Sequence, residues 1–244
     1  MISGRVSLLG LMMCTPLVLA VTSELECATG VLTEQSGENL NQRVGELVAN
    51  LRKSREAIKK YEWIETTTIS VNGEQKAQIE KRCYYGADGK VEKVFMTQPA
   101  PPERKRGLRG LIAERKKAEL SDEMKRAVET LHQYVPPTHE QIEACMSAGN
   151  ASIDVLEPGK RIRLNFKGYK VPGDRLSIEV DLTNNRPATL AVASYLETPA
   201  KPLACNVVFG TLDDGTTYAE ETTMDLEKQN LKVVVENSGY RKQP

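Results

Sequence analysis

The sequence has few of the residues that carry catalysis or metal binding. Two of its 244 residues are histidines, and the aromatic side chains together make up 5% of the chain. His132 and His139 lack the i, i+4 spacing with which a helix holds zinc. There is no GxSxG nucleophile elbow, no GxxxxGK[ST] phosphate loop and no GxGxxG fingerprint. We therefore expect a protein that is not an enzyme and that has no metal or cofactor.

The chain also lacks net charge, because 33 basic residues balance 33 acidic ones. Nucleic-acid-binding proteins are usually basic overall, so the composition argues against a nucleic-acid partner. Residues 103–117 are a local exception with a net charge of +5. We expect this stretch to be either a solvated helix face or a contact for anionic lipid headgroups or an acidic protein. The candidate contact residues are Arg104, Lys105, Arg106 and Arg109.

No CxxC motif occurs, which removes support for a thioredoxin-type redox site. Beyond the N-terminal segment the cysteines are Cys27, Cys83, Cys145 and Cys205. Four cysteines are compatible with two disulfides, with one disulfide, or with buried free thiols. The sequence cannot choose among the three full pairings.

A long apolar run occurs once, at residues 6–21, directly after Arg5. It is shorter than the ~20 residues of a spanning helix, and Pro16 interrupts it. Small residues at Ala20 and Ser23 offer cleavage points for a signal peptidase. The pattern predicts a cleaved secretory signal peptide, with an uncleaved membrane anchor as the alternative.

These observations predict the domain organisation. We expect a signal peptide at residues 1–23, a flexible leader at 24–38 and one domain at 39–244. The protein would be exported to the periplasm or the extracellular space, with no stable membrane span after cleavage.

Residues 61–97 predict three strands joined by two tight turns. Asn72-Gly73 is the strongest short signal for a hairpin, because a type I′ turn needs positive φ at both central positions. Ala87-Asp88-Gly89 marks the second turn. In the first strand Tyr61, Trp63, Ile69 and Val71 share one parity, so they would lie on one face of the sheet.

Three segments have the 3.6-residue periodicity of amphipathic helices. The first is residues 39–60. The second is residues 103–136, either as one long helix or as two with a break near Leu120-Ser121. The third is residues 138–148, with Thr138 as N-cap and Gly149 as C-cap. Prolines precede the second segment and separate it from the third, so we expect residues 102–149 to form a helical insertion that acts as a mobile cover.

From residue 152 onward, turn signals alternate with short apolar strands in the pattern of an antiparallel meander. Six or seven strands there, added to the first three, make a sheet of about nine or ten strands. Twisted open sheets of that size tend to curl. The predicted fold class is α+β: a curved antiparallel sheet, or half-barrel, covered by amphipathic helices, with the helical insertion in mid-chain.

This layout resembles the LolA/LolB-type periplasmic lipoprotein carriers and their uncharacterised exported relatives. The resemblance is carried by Tyr61-Glu62-Trp63, by residues 84–91, by residues 207–218 (VVFGTLDDGTTY) and by residues 231–240. It implies a half-barrel whose concave face receives lipid, with a lipid or a lipoprotein as partner. The basic insertion is larger than a simple carrier of this type would need.

The leading hypothesis is a non-enzymatic exported protein that binds a lipid, an acyl chain or another apolar ligand in the concave face. Its candidate ligand-binding residues are Trp63, Ile69, Leu164, Phe166, Ile178, Val192 and Phe209. A single tryptophan is most often a plain core residue, and this is the alternative role for Trp63. The alternative is an envelope sensor or protein-interaction domain whose half-barrel is filled by its own side chains and whose partner is an envelope protein.

Overall fold

Ten strands form one antiparallel sheet that is curved and does not close. The computed structural model describes residues 50, 53–96, 108–135, 137 and 139–243. The strands are β1 (Tyr61–Val71), β2 (Glu74–Tyr85), β3 (Val91–Phe95), β4 (Ala151–Glu157), β5 (Arg161–Lys167), β6 (Arg175–Asp181), β7 (Arg186–Tyr195), β8 (Pro202–Thr211), β9 (Thr217–Leu226) and β10 (Leu231–Lys242). The helices are α1 (Leu108–Leu131), α2 (His139–Ser147) and a 3₁₀ turn at Glu227–Gln229, and residues 53–58 are also helical.

The two predicted turns in the first three strands are confirmed. Asn72 and Gly73 have φ values of 54° and 77°, the left-handed pair that a type I′ hairpin requires. Val71 then pairs with Glu74, so the hairpin loop has two residues. Gly89 of the second turn has a φ of 74°. Local backbone chemistry therefore sets the register of the first three strands.

The strands that come first and last in the sequence, β1 and β10, lie side by side inside the sheet. The strand order is β3-β2-β1-β10-β9-β8-β7-β6-β5-β4, so β1 pairs with β10 and the edges are β3 and β4. Both edges carry exposed large apolar side chains: Val94, Phe95 and Met96 at or just after β3, and Ile153, Val155 and Leu156 on β4. Apart from the β1 to β10 contact, every neighbouring pair of strands is consecutive in sequence.

The two helices lie in the segment that joins one edge strand to the other. The chain leaves β3, passes through α1 and α2, and enters β4 at the opposite edge. Helix α1 is continuous through Leu120 and Ser121, so the break allowed for there does not occur. Helix α2 ends as predicted at Gly149, whose φ is 70°. Thr138, the predicted N-cap, lies outside the described residues. So does the predicted 39–60 helix except for residues 50 and 53–60, of which 53–58 are helical and 59–60 form a turn.

The buried side chains form two clusters. The larger one joins buried residues of α1 and α2 to strands β5 to β10. The smaller one is aromatic and joins Ile58, Trp63, Cys83 and Tyr85, with Tyr218 and Tyr240 packed against it. No helix in the described part of the chain is long and apolar enough to cross a membrane.

Three of the cysteines are buried free thiols. Cys83 lies in the aromatic cluster, and Cys145 and Cys205 lie in the larger one. Of the alternatives that the sequence left open, buried free thiols are therefore the one that holds for these three residues. Cys27 lies outside the described residues.

Candidate ligand-binding face

One face of the sheet, here called the inner face, carries the buried side chains. Cross-strand partners define two rows on it. The first row runs from Ile69 through Val233, Met224, Cys205, Val192, Leu176 and Phe166 to Ala151. The second row runs from Thr67 through Val235, Thr222, Val207, Leu190, Ile178 and Leu164 to Ile153. Each row crosses eight strands, and the first is apolar throughout.

Five of the seven sequence-predicted ligand residues lie in these rows. Ile69, Phe166 and Val192 belong to the first row, and Leu164 and Ile178 belong to the second. Phe209 packs at the margin of the same cluster. The alternation of apolar residues along each strand was the signal that placed them on one face, since side chains alternate across a strand.

Trp63 lies in the aromatic cluster and is 2% exposed. Its ring stacks on Tyr240 at 5.6 Å between centroids and is tilted against Tyr85 at 5.8 Å. Its Nε1 donates a hydrogen bond of 3.1 Å to Asn237 Oδ1. The tryptophan is thus a packed and hydrogen-bonded residue beside the rows.

Helix α1 covers the inner face with its second half. Met124, Ala127, Val128 and Leu131 are buried in the larger cluster, at the three- and four-residue spacing of a single helix face. Residues 114–119 are instead exposed on every side. The helix therefore packs on the sheet along part of its length.

A buried polar clasp fixes the C-terminal end of α1. The Tyr134 hydroxyl donates to Asp174 Oδ2 at 2.6 Å and lies 2.7 Å from Ser194 Oγ. Asp174 also accepts hydrogen bonds from three consecutive backbone amides, at residues 169–171. Burial and the Asp174 carboxylate raise the pKa of Tyr134, so the phenol stays protonated as a donor.

Charged side chains are buried on the same inner face, where β1, β2 and β3 meet. Glu65 is 1% exposed and forms an ion pair with Lys93, and Lys81 is 5% exposed. We call Glu65, Lys81 and Lys93 the inner charged cluster. Lys81 is the cross-strand partner of both Glu65 and Phe95.

This cluster was not predicted from the sequence, although its signal was present. Tyr61, Trp63, Ile69 and Val71 were assigned to one face by parity. Glu65 and Thr67 have the same parity and are buried with them. Charged residues at inward positions of a strand are uncommon because their burial is costly, so they mark a site worth examining.

Burial also controls the thiols of the inner face. It raises the pKa of Cys83 and of Cys205 to about 12 in each case. A thiol is a nucleophile only as its thiolate. Both cysteines are therefore unreactive while the core stays closed.

The candidate partner-contact residues are not brought into the site by anything the structure describes. Arg104, Lys105 and Arg106 lie outside the described residues, and Arg109 is helical with its side chain outside them. In the described ranges there is no group of three or more histidine, cysteine, aspartate or glutamate side chains that could hold a metal ion.

The outer face carries a shallow groove of about 300 Å³. Its floor includes the small side chains of Ala191, Ala193 and Ala204, with Arg175 and Asp225 among its lining residues. These positions alternate with the inner rows along their strands. Val192 and Cys205 of the first row also line the groove.

No protein-family model matches the chain, and no curated protein matches its sequence. Solved structures that resemble it include the following three. A DUF1329 family protein from Desulfovibrio piger has a TM-score of 0.39 at 10% identity, over 83% of this chain and 92% of that one. A LolA superfamily protein from Nitrosomonas europaea has a TM-score of 0.33 at 10% identity, over 79% and 93%. An outer membrane lipoprotein-sorting protein domain from Vibrio parahaemolyticus has a TM-score of 0.36 at 11% identity, over 81% and 91%.

The similar structures thus include members of the group that the sequence resembles. Because each TM-score is below 0.5, the fold and the site described here rest on the strand register and contacts of this chain.

Proposed function

We propose that this protein binds the apolar chain of a lipid, a lipoprotein or a similar amphiphile between the inner face and the helical cover. One observation carries the proposal: an apolar row spans eight strands of the inner face beneath a helical cover. Helix α1 belongs to this cover and packs on the inner face along only part of its length. Ligand sites in proteins are typically concave and mostly apolar. The proposal includes export to the periplasm or beyond the cell, and no catalysis.

Binding would require the ligand to replace side chains of the cover. Met124, Val128 and Leu131 each contribute about 1.5–3 kcal/mol by burial. A buried methylene group contributes about 0.8 kcal/mol. A chain of roughly six to eleven methylenes therefore offsets the loss of these three side chains. The expected ligand class is a long acyl or alkyl chain rather than a small apolar molecule.

Trp63 gives a direct readout of binding, because it is the single tryptophan and lies beside the apolar rows. We expect purified protein to carry an amphiphile detectable by native mass spectrometry and lipid extraction. Delipidated protein should take up a long-chain amphiphile with a change in Trp63 fluorescence. A short analogue of about four carbons is the matched control and should leave the fluorescence unchanged.

Absence of both a co-purified and a titratable amphiphile would contradict the proposal. It would favour a self-filled core, in which the side chains of α1 occupy the inner face permanently. The protein would then act as an interaction domain.

A further inference from the structure

The inner charged cluster contains two ammonium groups and one carboxylate. Glu65 pairs with Lys93, whose side chain is 6% exposed. Lys81 Nζ lies 5.0 Å from the centre of the Phe95 ring. Within the described part of the chain, no carboxylate lies at ion-pair distance from Lys81. Even if Glu65 is shared by both lysines, one positive charge has no counterpart.

A buried charge without a counterpart is costly, so its presence requires a reason. Burial lowers the pKa of Lys81, and the nearby Glu65 carboxylate opposes that effect. Glu65 itself has one buried carboxylate oxygen, Oε1, without a hydrogen-bond partner among the described residues. The Lys81 ammonium group thus has no anionic partner among the described residues. Glu65 Oε1, in the same cluster, has no hydrogen-bond donor among them.

The cluster lies next to an open edge of the sheet. Phe95, whose ring is next to the Lys81 ammonium, is on edge strand β3 and is 39% exposed. Val94 and Met96 beside it are exposed as well. A polar headgroup could therefore reach Lys81 from the β3 edge while its apolar chain follows the inner face toward Ile69.

We propose that Lys81, supported by Lys93 and Glu65, binds the anionic headgroup of the amphiphile, a carboxylate or a phosphate. This inference rests on the proposed function, since it assigns the charge of the ligand for the same face. The anion would complete the charge balance of the cluster, and a headgroup hydroxyl could donate to Glu65 Oε1. The ligand class becomes an anionic single-headgroup amphiphile.

The test is a titration of the delipidated protein at low salt and near-neutral pH. Binding is measured by the change in Trp63 fluorescence and by calorimetry. The probes are tetradecanoate, tetradecyl phosphate and the neutral monotetradecanoylglycerol. We expect one or both anionic probes to bind at least about tenfold more tightly than the neutral one, because a desolvated ion pair adds to chain burial. The two anionic probes distinguish a carboxylate source from a phosphate source.

Three variants make the result specific. Lys81→Met should abolish the preference for the anionic probe, leave the neutral probe within about twofold, and raise the Tm of the free protein by removing a buried charge. Lys81→Arg should keep the preference. Lys90→Met, in the exposed turn after β2, is the matched control. It should leave both the preference for the anionic probe and the Tm unchanged.

Equal binding of charged and neutral probes to the wild-type protein would overturn this inference and leave the proposed function standing. So would an equal loss of all probes in Lys81→Met, or a fall in its Tm. If no probe binds at all, the proposed function is overturned together with the inference.

Discussion

Asp174 helps to position the cover, because its hydrogen bonds connect distant parts of the chain. Its carboxylate accepts from the Tyr134 phenol at the end of α1 and from the backbone amides at residues 169–171. The same phenol lies 2.7 Å from Ser194 Oγ on β7. All of this takes place in the core, where an unmade hydrogen bond is expensive.

Removing the phenol hydroxyl should loosen this end of the cover. We expect Tyr134→Phe to lower the free energy of unfolding by about 1.5–3 kcal/mol, the range for a hydrogen bond to a charged group. The measurement is urea denaturation at neutral pH. The change leaves the ring in place, so the loss reports the hydroxyl alone.

Tyr195→Phe is the matched control for that experiment. Tyr195 is on β7 near the same loop, and its exposed hydroxyl donates to the Pro172 carbonyl at 3.2 Å. Its loss should change stability by less than about 0.5 kcal/mol. Equal effects of the two variants would mean that the buried clasp contributes no more than a surface contact.

At the scale of the element, α1 is one continuous helix whose two halves differ in stability. Residues 114–119 have no buried side chain, whereas Met124, Ala127, Val128 and Leu131 are in the core. Short helices are marginal in water without tertiary packing. The exposed half therefore depends on the packed half for its structure.

Hydrogen exchange should resolve the two halves. We expect the amides of residues 114–119 to exchange at least about tenfold faster than those of residues 124–131, because local opening is easiest where few apolar contacts are broken. Peptide-level exchange followed by mass spectrometry is sufficient. Equal protection along α1 would mean that the exposed half is held by a partner or a segment outside the described residues.

A pair of proline variants tests the same difference by measuring the free energy of unfolding instead of hydrogen exchange. Both Lys117 and Arg126 are exposed helical positions, so neither substitution creates a cavity. Proline in a helix interior costs about 3 kcal/mol or more. That cost should appear in the global stability for Arg126→Pro and be nearly absent for Lys117→Pro.

The sequence predicted the elements well where local chemistry decides them. The predicted turn at Asn72-Gly73 and the predicted helix end at Gly149 both require positive φ, and all three residues have positive φ in the structure. Apolar alternation did not mark strand β9 in the sequence, because its inner positions include Thr217 and Thr222. The neighbour relation between β1 and β10 could not be predicted, since no local signal links strands so distant in sequence.

The same distinction applies to the candidate site. Parity was enough to place Ile69, Phe166 and Val192 on one face. The inner charged cluster depends on how three strands register against each other, and that register brings Lys93 within reach of Glu65 across β2. Pairing of this kind is a property of the assembled sheet.

For the whole molecule, the main question is whether the cover opens separately from the sheet. Residues 102–149 are proposed to be a mobile cover within one domain. Cys205 lies on β8 in the cluster that includes α1, and Cys83 lies on β2 in the aromatic cluster. The two buried thiols therefore report on different openings.

Thiol labelling should separate these openings. In native buffer we expect a neutral alkylating reagent to modify Cys205 at least about tenfold faster than Cys83, with a weaker dependence on urea, because opening the cover exposes less surface than unfolding the sheet. Near the unfolding midpoint the two rates should converge. Identical rates at every urea concentration would show that cover and sheet open as one unit.

The position of β10 between β1 and β9 also has a consequence for how the chain matures. Glu62 and Arg241 are paired across these strands and stand 179 positions apart. During synthesis β1 to β3 emerge long before β10, the strand that joins them to the rest of the sheet. Contacts of such long range form slowly, since the loop-closure entropy must be paid before they contribute. Until β10 has emerged, β1 to β3 and β4 to β9 therefore remain two separate sheets, and the sheet becomes continuous only when β10 pairs with both β1 and β9.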